Sequence, residues 1–188
     1  VGLIGDNGAG KSTFLSLLTG YYHADSGDFV YKGRRVPMSS PKTSRRNLKI
    51  EMIYQDLRLA PDLPVEQNLF LGEEPRIMGM FLNRRYMRQA AMDVMRRLNV
   101  KVRPSDLLNR LSGGEQQAVA IGRALLFERD IILMDEPTAA ISVNKVEDVL
   151  HMIRDLKTHG KSVILVSHRL EDVLAVSDRI VVFFHGKI

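Results

Sequence analysis

The chain has 188 residues, of which 45% are hydrophobic and 26% charged, which is enough apolar material for the core of one globular domain of ordinary size. It has no cysteine, so a disulfide framework and any Cys-ligated metal site are excluded. Its longest apolar run, Ile180 to Phe184, falls far short of the roughly 20 residues a membrane-spanning helix needs. The net charge is +5 (27 basic minus 22 acidic residues), with arginine pairs at Arg34/Arg35, Arg45/Arg46, Arg84/Arg85 and Arg96/Arg97. Such pairs could meet nucleic acid or anionic lipid headgroups, but they are scattered among segments and carry no interleaved aromatics, so they read as solvated surface and phosphate-facing positions.

Short apolar runs alternate with helical patterns along the chain, the signature of an α/β domain with a mainly parallel sheet. Val1 to Ile4 reads as a strand feeding a glycine loop, and Lys11 to Thr19 as the helix that follows, with Gly20 as its stop. FVYKGRRV reads as strand, Lys-Gly turn and strand, a small antiparallel part, and KIEMIYQ as a further strand. From Arg85 to Leu98 the apolar residues Met87, Ala90, Ala91, Val94, Met95 and Leu98 recur at a helical period. After LSGGEQQ, the stretch AVAIGRALLF is again helical. It is followed by the strand IILM, a helix through Val146, Val149, Leu150 and Ile153, the strand SVILVS, a helix near Leu170 to Val176, and the strand RIVVFF. Because the chain starts inside one expected strand and ends just past another, it reads as a piece of a longer protein.

Gly5-Asp6-Asn7-Gly8-Ala9-Gly10-Lys11-Ser12 fits G-x-x-x-x-G-K-[ST] and lies between a strand and a helix, as a phosphate cradle requires. The glycines let backbone N–H groups turn inward, and the helix N-terminus adds partial positive charge. Lys11 is placed to reach β- and γ-phosphates, and Ser12 to put a hydroxyl on Mg2+. In IILMDEP, Asp135 and Glu136 follow four apolar residues at the carboxyl end of a core strand, where open α/β sheets bind ligands. Two carboxylates there can divide the work, Asp135 in the Mg2+ shell and Glu136 polarising the water that attacks the γ-phosphate. Gln55 after MIY and His168 after VILVS emerge at the same strand-end face. In LSGGEQQ, Ser112, Gly113 and Gly114 open a helix whose N–H groups form a second anion site.

A phosphate loop, a later glutamine, LSGG, an apolar-DE strand and a strand-SH, in this order, resemble the nucleotide-binding domain of ABC transporters over essentially the whole chain. Gly5 to Thr13 match the Walker A loop, Gln55 the Q-loop, Leu111 to Gln117 the signature, Ile131 to Glu136 Walker B, and His168 the switch histidine. The resemblance implies a P-loop NTPase fold over 1–188, with a helical subdomain at about 65–128 carrying the signature. It implies ATP as ligand, held by Gly5, Asp6, Asn7, Gly8, Ala9, Gly10, Lys11, Ser12 and Thr13 of one copy and by Ser112, Gly113, Gly114 and Glu115 of the other. Mg2+ is then held by Ser12, Gln55 and Asp135, and Glu136, His168 and Gln55 act in catalysis.

Within the family, DSGDFVYKGRRV, the run after Gln55 and EPTAAISV are most similar to carbohydrate importers. That likeness implies sugar uptake through a membrane permease, a second cassette as homodimer or fused pair, an extracytoplasmic sugar-binding protein acting indirectly, no nucleic acid, and a peripheral place on the cytoplasmic face of the membrane. It does not say which sugar. Residues from Gln55 to about Gly72 correspond to the permease-facing surface of relatives, with Leu57, Leu59, Leu63, Val65, Leu69 and Phe70 supplying apolar area, several of them also as core. The chain departs from the family pattern with SGGE for the usual SGGQ and with Ser142 at the usual D-loop aspartate. The adenine-stacking aromatic of relatives corresponds to a position before Val1. A rival is a soluble ABC-type ATPase acting on DNA or ribosomes, although no sustained heptad run separates Thr13 from Leu111. Another is a cassette that binds without hydrolysing, against which Lys11, Glu136 and His168 stand.

Overall fold

The computed structural model describes residues 1–37, 40–139 and 141–188. Its backbone divides into two compact units, one made of residues 1–55, 129–137 and 153–188 and the other of residues 56–128 and 138–152.

The first unit is built on a five-stranded parallel sheet: β1 (Gly2–Ile4), β4 (Ile50–Ile53), β7 (Ile131–Asp135), β8 (Ser162–Val166) and β9 (Ile180–Val182), in the order β4-β7-β8-β1-β9. β1 has β8 on one side and β9 on the other, so the loop that follows it opens inside the carboxyl edge of the sheet and not at its flank, the edge at which open α/β sheets bind ligands. Leu3, Leu15, Leu48, Ile50, Leu133, Val166 and Phe183 form the core under helix α1 (Lys11–Leu18). The Lys32-Gly33 turn joins β2 (Phe29–Tyr31) and β3 (Arg34–Val36) as an antiparallel pair, as the sequence suggests.

Helix α2 (Pro41–Asn47) is an addition to the sequence reading. Ser40 caps it, accepting from the Thr43 amide at 3.2 Å, and proline stands at its start. An ion triad ties α2 to β4. Arg45 Nε donates to Glu51 at 3.0 Å, Arg129 Nε donates to the same oxygen at 3.1 Å, and Arg129 Nη1 donates to the Arg45 carbonyl at 2.8 Å. Glu51 and Arg129 are both buried. Replacing Glu51 by alanine removes the carboxylate that two guanidinium groups share, one of them buried. We expect a loss of about 3–5 kcal/mol in urea unfolding, against little change for a substitution at exposed Arg46.

The second unit is helical: α3 (Val65–Phe70), α4 (Arg84–Arg97) and α5 (Gly113–Leu126) pack on one another, with a two-stranded hairpin, β5 (Arg76–Ile77) and β6 (Phe81–Leu82), between α3 and α4. Val65, Leu69, Met87, Ala91, Met95, Val119, Ile121 and Ala124 are among its buried residues. Gly122 makes the close approach of α4 and α5 possible, since a Cβ there would lie 2.7 Å from Met95 and 2.8 Å from Val94. Of helix α6 (Val143–Thr158), residues 143–152 belong to this unit and 153–158 to the first, in which α7 (Leu170–Val176) packs against β1. Among the described residues, no helix is long and apolar enough to cross a membrane.

Several of the apolar residues expected at the permease-facing surface serve as core. Val65, Leu69 and Phe70 are buried, Phe70 in edge-to-face contact with Tyr86 and Phe127, because α3 turns them into the helical core. Only Leu57, Leu59 and Leu63 of that set remain half-buried.

Candidate nucleotide site

The glycine loop follows β1 and is shaped by close packing. At Gly5, φ is +151° and a Cβ would lie 2.2 Å from the Phe183 carbonyl oxygen, so only glycine fits. Gly10 is left-handed at φ +101° and caps α1, whose first-turn N–H groups have no acceptor within the helix. The chain end straps the loop in place, with the Phe183 amide donating to Ile4 O at 2.7 Å and the Gly186 amide to Ala9 O at 2.9 Å. Asp6, Asn7, Gly8, Ser12 and Thr13 are exposed, and nothing lies within 4 Å of a Cβ at Gly8, which leaves room for a ligand over the loop.

Lys11 is buried, and its ammonium donates to the carbonyls of Gly5 at 2.7 Å and Asp6 at 3.0 Å. Its charge is therefore held in the concavity of the loop by two acceptors that phosphate oxygens can replace. The Asp135 carboxyl lies at the end of β7 beside the Ser12 hydroxyl. Burial pushes it above the usual carboxylate range and the Glu136 carboxylate adds to that, while the Ser12 hydrogen bond and Lys11 oppose it.

Glu136 takes a left-handed backbone at φ +50° and is held by its amide donating to Val166 O at 2.9 Å. For a residue with a side chain this conformation is uncommon. Its carboxylate lies 3.2 Å from Nδ1 of His168, just past the end of β8. Gln55 is exposed, two residues beyond Ile53, whose partner across the sheet is Met134, so it emerges at the same edge as Asp135 and Glu136.

A hydroxyl and a carboxylate are hard oxygen donors of the kind Mg2+ takes, and among the described residues no cluster of three His, Cys, Asp or Glu could hold a metal alone. A metal here would draw most of its remaining ligands from phosphate and water, the usual way Mg2+ is bound. Because the folded chain disfavours the ionised form of Asp135, its stability cost is absent below the ordinary carboxylate value of 3.8 and sets in as pH rises through the raised folded value. Asp135→Asn is accordingly expected to raise the melting temperature of the nucleotide-free chain at pH 7 and to abolish the extra stabilisation that Mg2+ adds to ATP. Parallel thermal melts with EDTA, ATP and MgATP check both.

In the helical unit, Ser112 caps α5 in a capping box. The Ser112 amide donates to Glu115 Oε2 at 2.8 Å, its hydroxyl donates to the same oxygen at 2.7 Å, and the Glu115 amide points back at Ser112 Oγ at 3.4 Å. Gln116 Nε2 anchors the approach to this turn by donating to the carbonyls of Leu108 and Leu111, both at 3.1 Å.

A family model described as ABC transporter matches residues 1–139, about three quarters of the chain. The chain belongs to the ABC transporter family. Its cassette is 43% identical over its whole length to a xylose/arabinose import ATP-binding protein of Sulfolobus acidocaldarius, of which it spans 74%. It is 41% identical to a ribose import ATP-binding protein of Rubrobacter xylanophilus, of which it spans 37%. Among solved structures it is similar to a nucleotide-free ATP-binding cassette from an ABC transporter, at TM-score 0.84 and 26% identity, covering all of this chain and 77% of that one. It is also similar to a dimeric post-hydrolysis state of an ATP-binding cassette bound to ADP and phosphate, at TM-score 0.80 and 26% identity, covering all of this chain and 82% of that one.

Within the cassette, the structure gathers the glycine loop, Lys11, Ser12, Gln55, Asp135, Glu136 and His168 at the carboxyl edge of one sheet, and Ser112 to Glu115 at the start of α5. Ser142 is exposed and its carbonyl accepts from the Lys145 amide at 2.8 Å, while Ala140 of AAISV lies outside the described residues. Sequence reasoning missed two positioning residues. Gln116 is one. The other is Asn68, fully buried, whose amide accepts from Ala60 N at 2.8 Å and donates to the carbonyls of Ala60 and Leu63 at 3.0 Å, holding the segment after Gln55. A lone polar residue on the apolar face of VEQNLF was its only signal in the sequence.

Proposed function

We propose that this cassette is the ATP-hydrolysing subunit of an ABC importer that takes up a sugar, with ATP-driven closure and opening of two cassettes as its motor. The observation that carries the reading is the division of labour at the strand ends, Asp135 with Ser12 and Lys11, Glu136 with His168. The sugar-import names of the relatives supply the substrate class.

Gly5 to Thr13 wrap the phosphates, and the Lys11 ammonium exchanges its two loop carbonyls for β- and γ-phosphate oxygens. Ser12, Asp135 and Gln55 would hold Mg2+, which when bound neutralises phosphate charge. Glu136 accepts a proton from the water that attacks the γ-phosphorus as the bond to the β-phosphate oxygen breaks, and His168 orients the Glu136 carboxylate through their contact. Ser112, Gly113, Gly114 and Glu115 of a second cassette, identical or fused, close the site from the other side, a pairing that the dimeric neighbour supports. The single ABC ATPase domain spans 1–188, with its helical subdomain at about 65–128. The permease subunits are its membrane partners, a sugar-binding protein acts through them, and the cassette works peripherally on the cytoplasmic face.

ATP turnover of the full chain tests this, alone and co-purified with the permease encoded beside it, with and without a loaded sugar-binding protein. Stimulation by the loaded complex is expected. Turnover indifferent to any permease but raised by DNA or ribosomes would place the cassette in the soluble class instead.

A further inference from the structure

The β5–β6 hairpin is at odds with the solvent around it. Ile77 to Leu82 carry no polar side chain, yet Met78 is 88% exposed, Met80 73% and Phe81 68%, with Ile77 and Leu82 also open. The turn is tight, with Met78 and Gly79 both left-handed and the Met80 amide donating to Ile77 O at 3.3 Å, so the apolar side chains are displayed and not folded back. A hairpin with two residues per strand has little stability of its own in water, and a contiguous apolar projection of this kind marks an interaction surface. Its charge setting is one-sided: from Pro75 to Met92 the chain carries four arginines and no carboxylate. Arg88 pairs with Glu66, and Arg76 lies near Glu74, whose carboxylate is turned to the Gly72 amide at 2.8 Å. Arg84 and Arg85 are exposed, and among the described residues no carboxylate pairs with either.

An apolar tip above a basic collar fits the boundary of an anionic bilayer, where methionine and phenylalanine enter the acyl edge and guanidinium groups meet lipid phosphates. A cytoplasmic loop of a membrane protein fits less well, because such loops are themselves enriched in lysine and arginine and would be repelled by the collar. We propose that the Ile77–Leu82 hairpin is a membrane-interface anchor, its tip seated in the headgroup region of an anionic bilayer and Arg84 and Arg85 bound to lipid phosphate. The inference rests on the importer reading only in placing the cassette beside a membrane.

Flotation of the full chain with phosphatidylcholine vesicles, and with vesicles containing phosphatidylglycerol, tests it. Binding is expected on the anionic vesicles only, falling about tenfold or more in Arg84→Glu/Arg85→Glu and in Met78→Ser/Phe81→Ser. The basal ATP turnover and melting temperature of both variants should be unchanged, since these side chains are exposed. Met80→Trp should shift its emission to the blue on anionic vesicles. Parent binding that ignores lipid charge, or variants that bind like the parent, would overturn the anchor. So would variants that differ from the parent only in stimulation by detergent-solubilised permease, which would make the hairpin a protein contact. Vesicle binding without any ATP turnover would sink the importer reading and leave the anchor standing.

Discussion

Glu136→Gln is expected to slow steady-state phosphate release from MgATP by roughly a hundredfold or more, the usual scale for losing a general base, while ATP still binds. The expectation follows from the separation of the two carboxylates. Asp135 is tied to Ser12 and Lys11, the groups proposed to meet metal and phosphate, and its ionised form is disfavoured by burial. Glu136 is turned by its left-handed backbone toward His168, with its amide fixed on β8 through Val166. Glutamine preserves the shape and much of the hydrogen bonding to His168 but cannot take a proton. Retention of radiolabelled ATP on the variant, measured beside phosphate release, separates lost chemistry from lost binding. A variant that turns over ATP at the parent rate would remove Glu136 from the reaction.

Gly5→Ala is expected to be the most damaging small substitution in the glycine loop, at about 3–5 kcal/mol of stability, or roughly a 10 °C fall in melting temperature. The added Cβ would stand 2.2 Å from a backbone carbonyl, at φ +151°. That carbonyl belongs to Phe183, whose amide bonds Ile4 and whose ring packs at 5.4 Å from Phe14 on α1, so it cannot withdraw without opening the core. Nucleotide affinity should fall with stability, because the same strap shapes the cradle. Gly8→Ala is the control. Its φ of +82° carries a conformational cost of about 1 kcal/mol, but no atom obstructs the new methyl. Melting curves that place the two variants together would contradict this account of the loop.

Much of the site could be read from the chain because strand-end chemistry is written locally. An apolar run followed at once by DE or SH fixes which residues leave the sheet, and the parallel order of the five strands then brings them to one edge. The glycine loop and the Ser112 cap are likewise local patterns. Less legible was whatever depends on packing. VEQNLF reads equally as interaction surface or core until α4 and α5 enclose it, and only that packing shows that Val65, Leu69 and Phe70 are the core members of their set. Helix α2 is only seven residues long, too short for a periodic signal, and is held by the triad around Glu51. The exposed state of Ile77–Leu82 is invisible in a sequence where every apolar run resembles core. The family resemblance, by contrast, rested on motif order along the whole chain, and the match over residues 1–139 bears it out.

In the proposed pair of cassettes, one ATP is held by Lys11 of one chain and Ser112 of another. Full chains carrying Lys11→Ala and Ser112→Arg, each inactive in both sites as a homodimer, should be mixed and their tightly bound ATP counted with Mg2+ withheld. About one retained ATP per mixed dimer is expected, since one site then has both parental elements. Retention no greater than in the unmixed variants would contradict the shared site.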